Sequence, residues 1–321
     1  KSILGSIVVL RVLIIIADIG ILYFGKKLLE KLKLPIQNIF WYVLNPFIII
    51  EMTGNLHFES IMLFFLVCAL YKLTQKKWCF AGVLIAGAIS VKLIPLLFLP
   101  LFYQWFAKPK NLKKNSVEVE DKSSNRILRK KWGPSVPGLK NLIAFYGIVF
   151  TTIIVLFLPF YSQELVSNYL KSIGLWFLKF EFNASFYYLF REIGYLFRGW
   201  NEIAIIGKIT STLTLIFIGY LSFFRKNSSI PQLITALLFG SSFYYFTTTT
   251  MHPWYLATLL ILSIFTKYRF TIVWSFLVIL SYQAYANSTW KENLWIVGFE
   301  YFVVFSYLIF ELERKKNIQL T

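Results

Sequence analysis

The chain has 321 residues, of which 57% are hydrophobic and 19% are aromatic, and its mean hydropathy is +0.63. This composition argues against a soluble fold and indicates a membrane protein. The formal net charge of +18 does not indicate nucleic-acid binding, because the basic residues lie in loops between apolar runs. The two cysteines are too few for a disulfide framework or a metal site, and no zinc spacing, Walker loop or dinucleotide-binding glycine motif stands out.

Apolar segments recur from one end of the chain to the other, and several are shorter than the roughly 20 residues that a full span needs. We therefore predict an all-α polytopic membrane protein with about eleven transmembrane or half-length helices. The predicted segments lie at about 3–24, 36–51, 57–71, 79–91, 93–106, 141–160, 203–224, 231–250, 253–266, 271–287 and 294–312.

Charges between these segments predict the orientation of the helices. Six loops are basic, and by the positive-inside rule all six face the cytoplasm. This orientation holds only if 79–91 and 93–106 are two half-length helices that meet at Lys92. The basic groups are Lys26, Lys27, Lys31 and Lys33; Lys72, Lys76 and Lys77; ten Lys or Arg within 107–140; Arg225 and Lys226; Lys267 and Arg269; and Arg314, Lys315 and Lys316.

The other polar stretches then share the outer face, as a site at a membrane surface requires. They are 51–59, the turn at Lys92, 161–202, and the turns at 247–254 and 286–293.

We expect residues 1–321 to form one transmembrane domain. Within it, 107–140 is predicted to be a basic cytoplasmic loop, with a surface helix at 124–132, and 161–202 to form interfacial helices on the outer face. Eleven spans with a cytoplasmic C-terminus would put Lys1 outside. We therefore also expect an N-terminal helix and a first outer loop to be missing before Lys1.

A polar cluster made of Glu51, Asn55, His57 and Glu59 interrupts two apolar runs. Ionisable groups near lipid are costly, so such a cluster is by default a candidate functional site. The alternative is a polar turn between helices, with Asn55 as N-cap and Glu59 facing the helix dipole in the first turn. The sequence leaves both interpretations open.

The segment 161–202 mixes aromatic and charged side chains, which predicts one or two amphipathic helices on the membrane interface. Aromatic faces suit sugar rings and prenyl chains, and Arg or Lys suits a phosphate. The alternative is an interfacial helix that is only anchored by its aromatic residues. The polar side chains concerned are Lys179, Glu181, Asn183, Ser185, Arg191 and Glu192.

Three further positions carry charge or an imidazole in apolar surroundings. Lys92 either extends its ammonium to the interface or binds an anion. His252, before Pro253, either binds a phosphate or hydroxyl or is an ordinary interfacial histidine. Arg11 and Asp18 lie seven residues apart on one helical face, and we expect them to form an internal ion pair.

Four motifs in this order resemble those of bacterial members of the C-type (GT-C) glycosyltransferase superfamily. The nearest resemblance is to the polyprenol-phosphate-dependent mannosyltransferase-like membrane proteins, and it covers about residues 40–300. That family usually has Asp where Glu59 stands here. The motifs are Asn45-Pro46 with Glu51, Gly54-Asn55 and His57-Phe58-Glu59; Val91-Lys92-Leu93-Ile94-Pro95; Phe180-Glu181-Phe182-Asn183-Ala184-Ser185; and His252-Pro253-Trp254-Tyr255.

The resemblance implies a GT-C-like fold and transfer of a mannose-like sugar from a polyprenyl-phosphate donor to a glycan or lipid-linked acceptor. It implies a multi-pass protein of the bacterial inner membrane, with the active site facing the periplasm. The main catalytic base is expected in a first outer loop before Lys1. No cofactor, metal or nucleic-acid partner is expected.

Inverting transfer needs a base for the acceptor hydroxyl, a carboxylate near an oxocarbenium-like centre, and cations at the leaving phosphate. We assign candidate catalytic roles to Glu51, His57 and Glu59. The predicted donor-phosphate ligands are Lys92, Arg191 and His252, and the predicted substrate-lining residues are Asn55, Glu181, Asn183 and Tyr255.

Three other functions share some of these features. A lipid or sugar transporter or flippase would also have many spans, although it favours broken helices at mid-bilayer over a cluster on one face. An O-antigen-type polymerase or ligase would use a lipid-linked substrate on the outer face. A non-catalytic assembly subunit is the third alternative.

Overall fold

The computed structural model describes residues 2–107, 137–178 and 180–320. These residues are helical, and no strand occurs among them beyond an isolated bridge between Phe182 and Thr250. The α-helices are α1 Ile3–Leu32, α2 Phe40–Val43, α3 Pro46–Ile48, α4 Glu59–Thr74, α5 Trp78–Val91, α6 Tyr103–Ala107, α7 Pro137–Phe157, α8 Gln163–Leu178, α9 Phe186–Arg198, α10 Ile203–Phe223, α11 Ile230–Thr247, α12 Leu256–Ile264, α13 Phe270–Leu277 and α14 Leu294–Leu320.

Among the described residues, four helical segments are long and apolar enough to cross a membrane, and they lie at Ile3–Leu32, Gly138–Phe160, Ile203–Phe223 and Leu294–Arg314. A fifth span results if Pro46–Gly54 and Glu59–Thr74, which are bent by 115° against each other, are counted together. The predicted all-helical membrane class is confirmed. The predicted count of about eleven helices is not, because the described residues hold 14 α-helices, several of them a single turn.

The helices α1 and α4 run side by side in the same direction. The ring of Phe24 packs 6.2 Å from Phe64 and 5.8 Å from Tyr71, centroid to centroid. Gly20 faces the Phe64 ring, and no space is left there for a side chain. Small residues of this kind allow helices to approach closely in a membrane, where apolar association alone drives little packing.

Arg11 and Asp18 do not form the ion pair predicted from their spacing. Arg11 donates hydrogen bonds to the carbonyl oxygens of Thr53 and Gly54, at 3.0 and 3.3 Å. Asp18 accepts one from Ser60 Oγ at 2.7 Å. Both side chains of α1 therefore contact the two ends of the broken helix, because those backbone and hydroxyl groups lie closer than the other charge.

The chain between α2 and α4 is a broken helix with its own local signals. Asn45 caps α3, accepting a hydrogen bond from Phe47 N at 3.0 Å, and Pro46 occupies the first helical position. A π-helix covers Ile49–Gly54, and Leu56 then has a φ of 60°. The N-cap of α4 is Phe58, so the alternative interpretation of Asn55 as N-cap is wrong.

A second break occurs at Lys92, as the sequence predicts. The helix α5 ends at Val91, Lys92 is extended with φ −149° and ψ 143°, and a 3₁₀-helix covers Ile94–Phe102 before α6. Pro95 is the second residue of this 3₁₀ segment and Pro100 lies inside it, and neither can donate a backbone hydrogen bond. The chain therefore reverses at Lys92 through two short helical pieces.

In the second half of the chain, residues 180–182 lie in extended conformation beside the segment that follows α11. Phe182 N donates to Thr249 O at 3.1 Å, and Met251 N donates to Phe182 O at 2.8 Å. This pairing places the aromatic segment directly against His252.

Two helices, α8 and α9, cover the stretch predicted to be amphipathic. On α9, Tyr187 and Tyr188 are buried, whereas Leu196 and Phe197 are more than 80% exposed. An exposed apolar face of this kind suits a lipid interface. Lys179 and most of the predicted basic loop, including 124–132, lie outside the described residues.

The close approach of α1 and α4 generates a stability prediction. Replacing Gly20 by Ala puts a methyl group against the Phe64 ring, so we expect a loss of about 1–3 kcal/mol. Thermal unfolding in detergent measures the change. Gly219→Ala on α10 is the matched control, because no atom beyond its own helix backbone and chain neighbours lies within 4 Å of the new methyl group. An equal melting temperature for both variants would contradict this packing.

Candidate functional site

The broken helix places Glu51 and His57 side by side. Glu51 is 1% exposed, and its Oε1 accepts a hydrogen bond from Tyr282 OH at 2.7 Å. Its Oε2 accepts one from Asn55 Nδ2 at 3.2 Å and lies 3.6 Å from His57 Nε2. The carboxylate is thus held from two sides and faces an imidazole that is 23% exposed.

Glu59 and Lys92 form an ion pair at the point where α4 begins and α5 ends. Lys92 Nζ lies 2.5 Å from Glu59 Oε1, and the side chains are 30% and 2% exposed respectively. The ammonium group also lies 5.6 Å from the centroid of the Tyr255 ring. A buried carboxylate is costly without a cation. The break at Lys92 therefore supplies the ammonium group that offsets the burial of Glu59.

Trp254 lies between the two histidines of the chain. Its ring stacks on His57 with a centroid distance of 3.9 Å and on His252 with a distance of 4.4 Å. Phe180 and Phe182 contact the ring of His252 in turn. Both faces of the indole are therefore covered, so Trp254 fixes the two imidazoles and cannot serve as a stacking platform for a sugar.

Both imidazoles are neutral near pH 7. Burial, with the Lys92 charge as a second cause, lowers the pKa of His57 to about 4. Burial and the charges of Lys92 and His57 lower the pKa of His252 to about 4. His57 can therefore accept a proton, and His252 can contribute to phosphate binding only as a neutral group.

A cavity of about 510 Å³ opens beside the ion pair. Among the described residues that line it, Lys92 is the only charged one; the others are leucines, an isoleucine and hydroxyl-bearing residues such as Tyr244, Tyr255 and Thr250. A second cavity of about 410 Å³, lined by apolar residues and tyrosines of α5, α7, α8 and their connections, shares Leu93 with the first. One cation thus lies at the edge of a long apolar surface.

Arg191 and Glu181 form a separate polar cluster. Arg191 Nη1 lies 2.6 Å from Glu181 Oε1, and its Nη2 lies 2.9 Å from Glu192 Oε1. The guanidinium also covers the Tyr188 ring at 4.5 Å. Side chains alternate along the extended segment 180–182, so Glu181 points away from the His252 side. Arg191 is therefore held by carboxylates of its own cluster.

Asn183 is a buried structural junction. It has a φ of 44°, and its N–H donates to Glu292 Oε1 at 2.7 Å. Its Nδ2 donates to Glu300 Oε1 at 3.2 Å, and its carbonyl oxygen accepts a hydrogen bond from Tyr301 OH at 2.6 Å. Burial raises the pKa of Glu292, partly offset by its hydrogen bond from Tyr188.

Several residues of the site were not predicted as functional. Trp254 stands beside His252 in one of the four motifs, but the sequence predicts no role for it. Tyr282, Glu292 and Glu300 carried no local signal, because their partners lie more than a hundred residues away. Within the described residues, no group of three or more His, Cys, Asp or Glu is placed to hold a metal ion.

The first third of the chain is similar to a known protein family. Residues 1–108 match the family model of the alpha-(1->6)-mannopyranosyltransferase N-terminal domain. The mannosyltransferase resemblance is confirmed for residues 1–108. No curated protein and no solved structure matches the chain. The matched part contains Glu51, His57, Glu59 and Lys92, and it supports a glycosyltransferase.

The ion pair generates a prediction on stability. Lys92→Met alone leaves Glu59 buried without its cation, so we expect a loss of about 3–5 kcal/mol. The double variant Glu59→Gln/Lys92→Met should recover most of this loss, as measured by thermal unfolding in detergent.

Arg198→Met is the control for that experiment. Arg198 is 60% exposed and pairs with Glu202, so its loss should cost no more than about 1 kcal/mol. A double variant no more stable than Lys92→Met would show that the pair does not compensate the buried charge.

Proposed function

We propose that this protein is a membrane glycosyltransferase that moves a mannose-like sugar from a polyprenyl-phosphate donor to a glycan or lipid-linked acceptor. The proposal places the reaction at the outer face of the bacterial inner membrane, with 107–140 in the cytoplasm. The observation that carries it is the Lys92 ammonium at the edge of a largely apolar cavity. An anionic head joined to a long apolar chain has the matching chemistry.

Lys92 is proposed to bind the donor phosphate. An ammonium group has three N–H donors, and Glu59 takes one of them. The others remain for phosphate oxygens, where a fixed positive charge stabilises the leaving group. Glu59 is itself 2% exposed, so we assign it the role of positioning Lys92 rather than contacting the sugar.

His57 is proposed to take the proton of the acceptor hydroxyl. In this step the hydroxyl oxygen bonds to C1 of the sugar, the C1–O bond to phosphate breaks, and the polyprenyl phosphate leaves with the electron pair. Glu51 Oε2 lies 3.6 Å from Nε2, so Nδ1 is proposed as the nitrogen that receives the proton. In this proposal Glu51 orients the His57 imidazole, as the carboxylate of a catalytic triad orients its histidine.

The remaining predicted residues take supporting roles in the proposal. Tyr255 lines the cavity beside Lys92, and Asn55 holds Glu51. Neutral His252 buttresses Trp254 at the donor site. Arg191 and Glu181 form a polar patch for a more distant part of the substrate, and Asn183 shapes the segment between that patch and His252.

The donor class has a direct test. The full-length protein, purified in detergent, should transfer label from polyprenyl-phosphate mannose to a membrane-extract acceptor, and a nucleotide sugar should not replace this donor. The double variant Glu59→Gln/Lys92→Met, which keeps the buried site neutral, should fail to bind the donor. Transfer from the nucleotide sugar would reject the donor class, and lipid flipping without transfer would favour a flippase.

The proton acceptor has a separate test. His57→Gln should lower kcat about 10²-fold or more, because Gln cannot take the proton. Because the His57 pKa is about 4, the base is deprotonated at higher pH, and wild-type kcat/KM should stay level from about pH 8 to about pH 5.

His252→Gln separates base catalysis from ring stacking, since His252 covers the other face of Trp254. An equal loss of kcat in both variants would assign the effect to the stack. If wild-type kcat/KM instead fell as the pH dropped through about 6.5, the ordinary histidine pKa, the base would not be a histidine with the lowered pKa of His57.

A further inference from the structure

One exposed aromatic pair near the site has no role in the proposal so far. Trp290 is 67% exposed and Tyr285 is 44% exposed. Their rings meet edge to face, with centroids 5.2 Å apart and planes at 88°. Large exposed aromatic rings that are fixed against each other are typical of binding surfaces.

The backbone of Trp290 is held in a conformation that bulky residues rarely adopt. Its φ is 54°, which lies in the left-handed region and costs conformational energy in any residue with a Cβ. Such strain persists only where the surroundings enforce it, and it concentrates at functional positions.

Asn287 enforces this conformation. Its Oδ1 accepts hydrogen bonds from Thr289 Oγ1 and Lys291 N, both at 2.9 Å. Its Nδ2 donates to the carbonyl oxygens of Ala284 and Lys291, at 3.1 and 2.9 Å. One side chain therefore ties the loop together and presents the Trp290 indole outward in a set orientation.

The pair is joined to the site by a continuous row of rings. Tyr285 packs 5.7 Å from Tyr282, whose hydroxyl donates to Glu51. On its other side Tyr285 packs 5.6 Å from Phe182, which contacts His252. A ligand resting on Trp290 and Tyr285 would thus lie beside Tyr282 and Phe182, the residues that contact Glu51 and His252.

We propose that Trp290 and Tyr285 form an aromatic subsite that binds a pyranose ring of the acceptor glycan. The C–H face of a pyranose packs well on a flat aromatic ring, and an edge-to-face pair offers two such surfaces at right angles. The inference rests on the proposed function, because only a glycosyltransferase requires an acceptor glycan there.

The competing assignment is an anchor in the lipid interface, where Trp is common. An anchor needs no fixed orientation and no strained backbone. Trp295, the second residue of α14, is 89% exposed and has the features expected of an anchor alone. It provides the matched control within the same region.

The test measures binding of α-(1→6)-linked mannotriose to the full chain in nanodiscs. Binding is monitored by saturation-transfer NMR and by titration of intrinsic fluorescence. Trp290→Ala should weaken binding about tenfold, whereas Trp295→Ala should change it less than about twofold. Asn287→Ala keeps the indole but releases the loop, so it should weaken binding in the same direction. Trp290→Phe should retain part of the affinity.

Unchanged mannotriose binding in Trp290→Ala, equal losses in Trp290→Ala and Trp295→Ala, or absence of binding by the wild type would each overturn the subsite. Size-exclusion profiles verify that the variants are folded. Trp290-dependent binding without transfer from polyprenyl-phosphate mannose would reject the donor proposal and leave the subsite standing. Transfer by Trp290→Ala with an unaltered acceptor KM would reject the subsite and leave the donor proposal standing.

Discussion

The Lys92–Glu59 ion pair is the constraint on which the site depends. A carboxylate that is 2% exposed among apolar helices is costly, and the adjacent ammonium of Lys92 offsets that cost. Meeting this need brings the beginning of α4 to the end of α5, so the two breaks in the helical chain lie at the same level. The ammonium is thereby held at the edge of the cavity with donors to spare, which is the arrangement that an anionic lipid head requires.

Residues from the matched part, 1–108, and from the remainder of the chain contact each other in the candidate site. The part that matches the mannopyranosyltransferase N-terminal domain supplies Glu51, His57, Glu59 and Lys92. The remainder supplies the ring of Trp254 that stacks on His57 and the hydroxyl of Tyr282 that holds Glu51. The Lys92–Glu59 pair forms within the matched part, whereas Glu51 and His57 also contact side chains of the remainder. The site is therefore a property of the whole described fold, and it cannot be assigned to the matched segment alone.

Buried carboxylates in the second half have a structural explanation. Glu300 accepts hydrogen bonds from Trp274 Nε1 at 2.7 Å and from Asn183, and Glu292 accepts the Asn183 N–H. Each bond joins segments that are distant in sequence, so these groups fix Asn183, at the end of the extended segment 180–182, against α13 and α14. A buried polar network of this kind favours one arrangement, because losing a partner leaves a buried carboxylate with fewer donors.

The sequence by itself determined the helical membrane class, the break at Lys92 and the residue types of the site, because apolar length, proline and isolated charge are local signals. Only the tertiary structure decided the partners. Arg11 and Asp18 share a helical face but bind elsewhere, while Lys92 bonds to Glu59 33 positions away and Glu51 to Tyr282 231 positions away. Helices form to satisfy their own backbone hydrogen bonds in lipid, whereas a side chain pairs with whichever group the packing of separate segments brings within reach.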